Sequence, residues 1–286
     1  MHRSHAPSSR FVNVAVIVFG LVLFSASSGM SNTLYFNGFE TDTTDWTSDV
    51  ARVPSGAPPS ASGDFHATAI DGSFSRWGGY NYGAGNNVAT MFREYTTSID
   101  IFLNVDGGWA NDKRFDFDSA ISNSLGGFKR DFIFNGGFYN DATGPGANTN
   151  RFVITASNNS QPSGANARNP DRNPIIIDDT GWYTFQHHFY NNGGVLAADL
   201  SIYTAGSTLV NTWTLSDPSD SIAGIGGNRY AWFTDNDFGT LAIDNVRLTT
   251  ADAAAAAVPL PLAAWAGLSL VGGLGGFRGF KRLRAR

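Results

Sequence analysis

The 286-residue chain carries 19 Lys and Arg against 24 Asp and Glu, a net charge of −5, and no cysteine. The charge is partitioned. All acids lie between Glu40 and Asp252, where 12 basic residues face 24 acidic ones, so that stretch has a net charge of −12. An acidic body of this kind excludes a nucleic-acid partner, which needs clustered Lys and Arg. Zero cysteines exclude disulfides, thiolate nucleophiles and cysteine-ligated zinc. Richness in Gly, Asn, Thr and aromatics, with Glu only at positions 40 and 94, favours strands and turns over helices.

Residues 1–28 read as a secretory signal. Arg3 and Arg10 precede the apolar run Phe11–Phe24, and small residues Ser25–Ser28 follow, as a signal-peptidase site requires. The 14-residue run would be about 21 Å long as a helix, short of a ~30 Å bilayer. A retained anchor helix is the alternative. Cleavage is expected near residues 26–31.

Residues 29–252 read as one strand-rich ectodomain. Leu34–Phe39 opens it, and Ser98–Leu103 alternates before becoming apolar. Phe115/Phe117, Phe132/Phe134 and Phe152/Ile154 mark further period-two runs. The clearest hairpin joins Trp182–Tyr190 to Val195–Tyr203 through Asn191-Asn192-Gly193-Gly194, a turn that supplies positive φ angles. On its second arm Leu196, Ala198, Leu200 and Ile202 share one face. Leu209–Leu215, Tyr230–Phe233 and Leu241–Leu248 bring the expectation to ten to twelve strands. Ala51–Gly63, Gly144–Asn150 and Asn158–Pro174 read as loops. Short strands without helical period predict an all-β sandwich of jelly-roll type.

A five-alanine spacer, Ala253–Ala257, leads into Val258-Pro259-Leu260-Pro261 and the run Leu262–Phe277. Val258–Phe277 is 20 residues, about 30 Å as a helix and just enough to span a bilayer. The tail Arg278, Lys281, Arg282, Arg284 and Arg286 would keep that end cytoplasmic. The order of Pro motif, apolar helix and basic tail resembles the PEP-CTERM sorting signals, nearest the VPLPA-type variant, with Leu262 where that variant usually has Ala. The resemblance covers residues 258–286. It implies a bacterial host, processing by an exosortase after signal peptidase, a transient membrane stage, and release or attachment at the cell surface or in extracellular polysaccharide. An ordinary C-terminal anchor is the alternative, and both place residues 29–257 outside the cytoplasm.

Gly181–Phe185, the long hairpin, Thr212-Trp213-Thr214 and Leu241–Leu248 resemble concanavalin A-like and laminin G-like jelly rolls. Phe36–Glu40 and Ile243–Val246 also resemble jelly-roll carbohydrate-binding modules, so a galactose-binding-like fold is the second choice. The resemblance implies glycan binding. In such modules an acid after the first strand and one in the last meet at a structural calcium. Glu40 and Asp244 occupy matching places, with Asp42 as a further candidate. An acid capping a turn or pairing with Arg247 is the competing reading.

Catalytic signatures are absent: no Gly-x-Ser-x-Gly, no His-Glu-x-x-His, and no triad of alternating acids. Asp116 and Asp118 share a strand face, read as a solvated face. His187 and His188 point to opposite faces, read as surface or half-buried. Aromatic platforms for sugar rings are expected first at Arg76, Trp77, Tyr80, Asn81 and Tyr82, where glycines expose the rings, and next at Trp109. Trp182, Trp213 and Trp232 lie in strands, where core packing is the default. The reading is a non-catalytic glycan-binding surface protein. A glycosidase or lyase of the sandwich fold, and a structural adhesin that binds no glycan, are the alternatives.

Overall fold

The computed structural model of the chain describes residues 31–46, 49–69, 72–74, 77–78, 81–82, 89–158, 167–234 and 237–251. The signal segment, the spacer and the whole of residues 258–286 fall outside this set. Sixteen strands run through the described residues. They are β1 (Ser31–Asn37), β2 (Val50–Pro54), β3 (Phe65–Ala69), β4 (Gly72–Phe74), β5 (Trp77–Gly78), β6 (Asn81–Tyr82), β7 (Tyr95–Leu103) and β8 (Lys113–Asn123). They continue with β9 (Phe128–Tyr139), β10 (Arg151–Asn158), β11 (Ile175–Ile177), β12 (Gly181–Asn192), β13 (Val195–Thr204), β14 (Leu209–Ser221), β15 (Ile225–Thr234) and β16 (Leu241–Ala251). Two three-residue 3₁₀ turns, Pro170–Arg172 and Ile222–Gly224, are the helical elements of the described residues.

The larger sheet is ordered β14-β13-β12-β7-β16-β3-β2, and β1 shares the far edge of β16 with β3. The smaller is ordered β11-β10-β9-β8-β15-β4. All pairings are antiparallel. The sheets face one another across an aromatic core. Phe185 of β12 meets Phe134 edge-on at 5.1 Å between ring centres, and Phe189 meets Phe132 at 5.2 Å. Burying a phenylalanine contributes ~2–3 kcal/mol, and edge-to-face pairs add ~1 kcal/mol. Gly136 makes room in this core, since a Cβ there would lie 2.6 Å from the Phe115 ring.

The expected alternation of burial holds in β7 and β12, whereas β8, β9 and β10 are buried on both faces along most of their length. Tyr95, Thr97, Ile99, Ile101 and Leu103 of β7 are buried, and the residues between them are half-buried. Leu196, Ala198, Leu200 and Ile202 of β13 all point into the core. Two readings are corrected. Residues 50–54, largely within the expected Ala51–Gly63 loop, form β2, because β3 offers an edge that pairs Val50 with Ala69 through Pro54 with Phe65. His187 is not a surface histidine: it is fully buried, with Nε2 3.0 Å from the Phe132 carbonyl and rings of Phe117, Phe134 and Phe189 around it.

The sandwich has two distinct ends. At the terminal end Ser31 pairs with Ala251, and the Ala251 N–H donates to the Glu94 carbonyl at 3.1 Å. The turns at 124–127, 191–194 and 222–224 close the strands there. At the opposite, loop end lie the connections 104–112, 140–150, 178–180, 205–208 and 237–240.

Candidate functional site

A cleft of about 460 Å³ opens at the loop end. β7 delivers Phe102 to its outer side and then leaves the sheet at Asn104. The Asn104 side chain accepts from the Asp106 N–H at 3.1 Å, which turns the chain. The turn folds Trp109 back so that its Nε1 donates to the Asn104 carbonyl at 2.9 Å. Gly107 is required for this, since a Cβ there would lie 2.4 Å from the indole nitrogen. The half-buried Trp109 ring stands edge-on to Phe238 at 5.2 Å. Phe102, Trp109, Phe152 and Phe238 line the cleft with aromatic rings, and Asn104 and Thr240 are polar residues of its lining.

The roof is the segment Gly56–Pro59. Its position is fixed from beneath. Trp182 donates its Nε1–H to the Pro59 carbonyl at 2.8 Å and meets Phe102 edge-on at 5.4 Å. His66 lies against Trp182 and 3.3 Å from the Ser60 hydroxyl. Burial lowers the His66 pKa and keeps the ring neutral at pH 7.

The same segment continues onto the acids expected to hold calcium. Glu40 accepts from the N–H groups of Asp64 and Phe65, at 3.1 and 3.3 Å. Asp244, fully buried, accepts from the N–H of Ser62 at 3.2 Å and of Asn245 at 2.8 Å. Burial, helped by the neighbouring Asp100 carboxylate, pushes the Asp244 carboxyl up to about 6 against the pull of these N–H donors. Asp42 does not join them: its carboxylate accepts from the Thr44 N–H in a local turn. The structure thus brings Glu40 and Asp244 to one loop as anchors of its backbone. Among the described residues no group of three or more His, Cys, Asp or Glu is gathered to hold a metal ion. Glu40 and Asp244 thus both accept from amide N–H groups of residues 62–65, while Asp42 stands apart from them.

The first-choice platform is reached only in part. Trp77–Gly78 pairs with Asn81–Tyr82 as the β5–β6 hairpin, while Arg76 and Tyr80 lie outside the described residues. Of the strand tryptophans, Trp213 packs in the core, whereas Trp182 lies on the outer side of its sheet under the cleft roof. Asp116 and Asp118 do share a face, but it is buried rather than solvated. Asn135 donates to Asp116 at 2.9 Å and accepts from Ser157 at 2.7 Å. A second, more polar cleft of about 340 Å³ lies beside Arg172, Asn211, Thr212 and Thr214. Sequence reasoning identified Trp109 but not Phe102, Asn104, Phe238 or the roof, which carry no local motif.

No family model matches the sequence, and no curated protein matches it. Among solved structures the chain is similar to the CBM2 module of the evolved Dit of Lactobacillus casei phage J-1, at 13% identity over 77% of this chain and 96% of that one, with a TM-score of 0.38. It is also similar to winged bean acidic lectin complexed with methyl-α-D-galactose, at 9% identity over 78% and 99% of the two chains, TM-score 0.37. Basic winged bean lectin with Tn-antigen follows at 12% identity over 77% and 97%, TM-score 0.35. At these scores the likeness is distant, and the sandwich is established by its own strand order and core.

Proposed function

We propose that the chain is a secreted bacterial surface or exopolysaccharide-associated protein that binds glycan without catalysis, through the Trp109 cleft. The observation that carries this reading is the cleft itself. Trp109 and Phe102 line it with aromatic rings, and Asn104 and Thr240 add polar residues to the lining. Its volume suits one or two sugar rings within the usual 300–1,000 Å³ range of about drug-sized ligand sites. The signal segment and the PEP-CTERM-like tail support export and exosortase processing.

Glycan-array binding by the secreted protein tests the reading. Trp109→Ala is expected to abolish binding while leaving the circular dichroism of the folded sandwich unchanged. Silence of well-folded wild-type protein on a broad array would instead support a structural adhesin. In the native host the mature protein is expected to lack the Arg-rich tail, and an intact mass that retains Arg286 would remove the sorting part. The buried pair Asp116 and Asp118 favours one other reading, a glycosidase. Release of reducing ends from a bound polysaccharide, lost in Asp118→Asn, would establish it.

A further inference from the structure

The chain leaves the sandwich at one end and opens its cleft at the other. Ala251, the last described residue, is held to Glu94, and Ser31 is paired beside it, so both apolar terminal segments of the sequence emerge together. The same end carries exposed apolar side chains. Met91 is 84% exposed, Leu125 75% and Phe128 45%. They belong to one neighbourhood: the Thr90 N–H donates to the Ser124 carbonyl at 3.1 Å, placing the residue before Met91 on the residue before Leu125. Arg229 donates to the Gly126 carbonyl at 2.5 Å, and Phe128 stacks on Tyr230. Isolated exposed apolar residues need no explanation, but a cluster at a chain exit does.

We propose that this terminal end rests on the bilayer that holds the chain's own C-terminal apolar segment, with Met91, Leu125 and Phe128 at the lipid surface and the Trp109 cleft facing away. The proposal rests on the membrane stage of the function proposed above. Tether length decides between orientations. Residues 252–257 are six residues, reaching at most about 20 Å when fully extended. β7 alone, Tyr95–Leu103, covers roughly 27 Å between the two ends. With the cleft end on the membrane, the exit at Ala251 would stand higher than the tether reaches. If the N-terminal segment is retained, it imposes the same orientation through Ser31.

The chain has no cysteine, so single-cysteine labelling of the full chain is direct. Met91→Cys, Leu125→Cys and, at the loop end, Thr208→Cys would each carry an environment-sensitive fluorophore. The full chain would be reconstituted in phosphatidylethanolamine–phosphatidylglycerol vesicles containing spin-labelled lipid. Quenching at positions 91 and 125 is expected to exceed that at position 208 severalfold. Equal quenching at all three, or greater quenching at 208, overturns the orientation while leaving the anchor intact. Failure of the chain to float with vesicles overturns the anchor, and the orientation with it.

Discussion

His187 sits where a phenylalanine would be expected. Burial pushes its pKa down to about 3, so the folded protein holds it neutral, with Nε2–H donated to the Phe132 carbonyl. An unfolded chain takes up a proton on this ring below pH ~6.5 and the folded one does not. Its stability contribution is therefore complete above pH 6.5 and is lost as pH falls, by ~1.4 kcal/mol per pH unit. Asp244 acts with the opposite sign. Its folded pKa is raised from 3.8 to about 6, so its contribution is complete below 3.8 and is lost as pH rises to about 6. The two slopes partly cancel between pH 4 and 6. Urea titrations across this window should show a flatter acid limb for His187→Phe and a steeper one for Asp244→Asn. Identical slopes in the wild type and both variants would contradict these assignments. Neither behaviour was legible in the sequence: alternation gave the opposed faces of His187 and His188, but not which face was the core. The outward His188 instead lies 2.8 Å from Glu94.

At the scale of elements, β16 is broken where β1 and β3 meet on its edge. Register slips between Asp244 and Arg247, and Asn245 takes a left-handed φ of 49°. Asparagine tolerates that conformation better than other non-glycine residues. Its side chain donates to Asp100 at 2.8 Å and accepts from the Ser62 hydroxyl at 2.8 Å, fastening the cleft's roof segment to the sheet. Asn245→Ala should cost ~2–3 kcal/mol and Asn245→Gly about 1 kcal/mol less, since glycine loses the bonds but not the φ. Equal costs in denaturant titrations would argue against backbone strain. Arg151 plays a similar part for residues 141–149: wholly buried, it donates to the carbonyls of Thr143, Pro145 and Thr149 at 2.6–2.8 Å. Arg151→Lys, with fewer donors and no planar fork, should lower stability by ~2–3 kcal/mol. The strands themselves were legible because alternation is a local signal. The short strands β2, β3, β4, β5, β6 and β11 were not, being too brief to show a period, and in β2 Arg52 is spent on the Phe39 and Glu40 carbonyls. Glu40 and Asp244 both hold the backbone of residues 62–65, a role that no sequence pattern announces.

At the scale of the molecule, the cleft joins residues 56–59, 102–109, 152 and 238–242, distant in sequence and adjacent only once two sheets have closed. No sequence pattern marks such a site, and only Trp109 could be singled out by type. β16 runs from the cleft, where Leu241 and Ala242 form part of the lining, to the exit at Ala251. It is bonded on one side to β7 and on the other to β3 and β1. Under the proposed function this single strand is the load path. A glycan held in the cleft and pulled against a tethered C-terminus would shear three ladders lengthwise, so their hydrogen bonds would bear the force together. Drawing the two termini apart would peel β1 from β16 one bond at a time. Single-molecule stretching should find a markedly higher rupture force along the first axis than along the second.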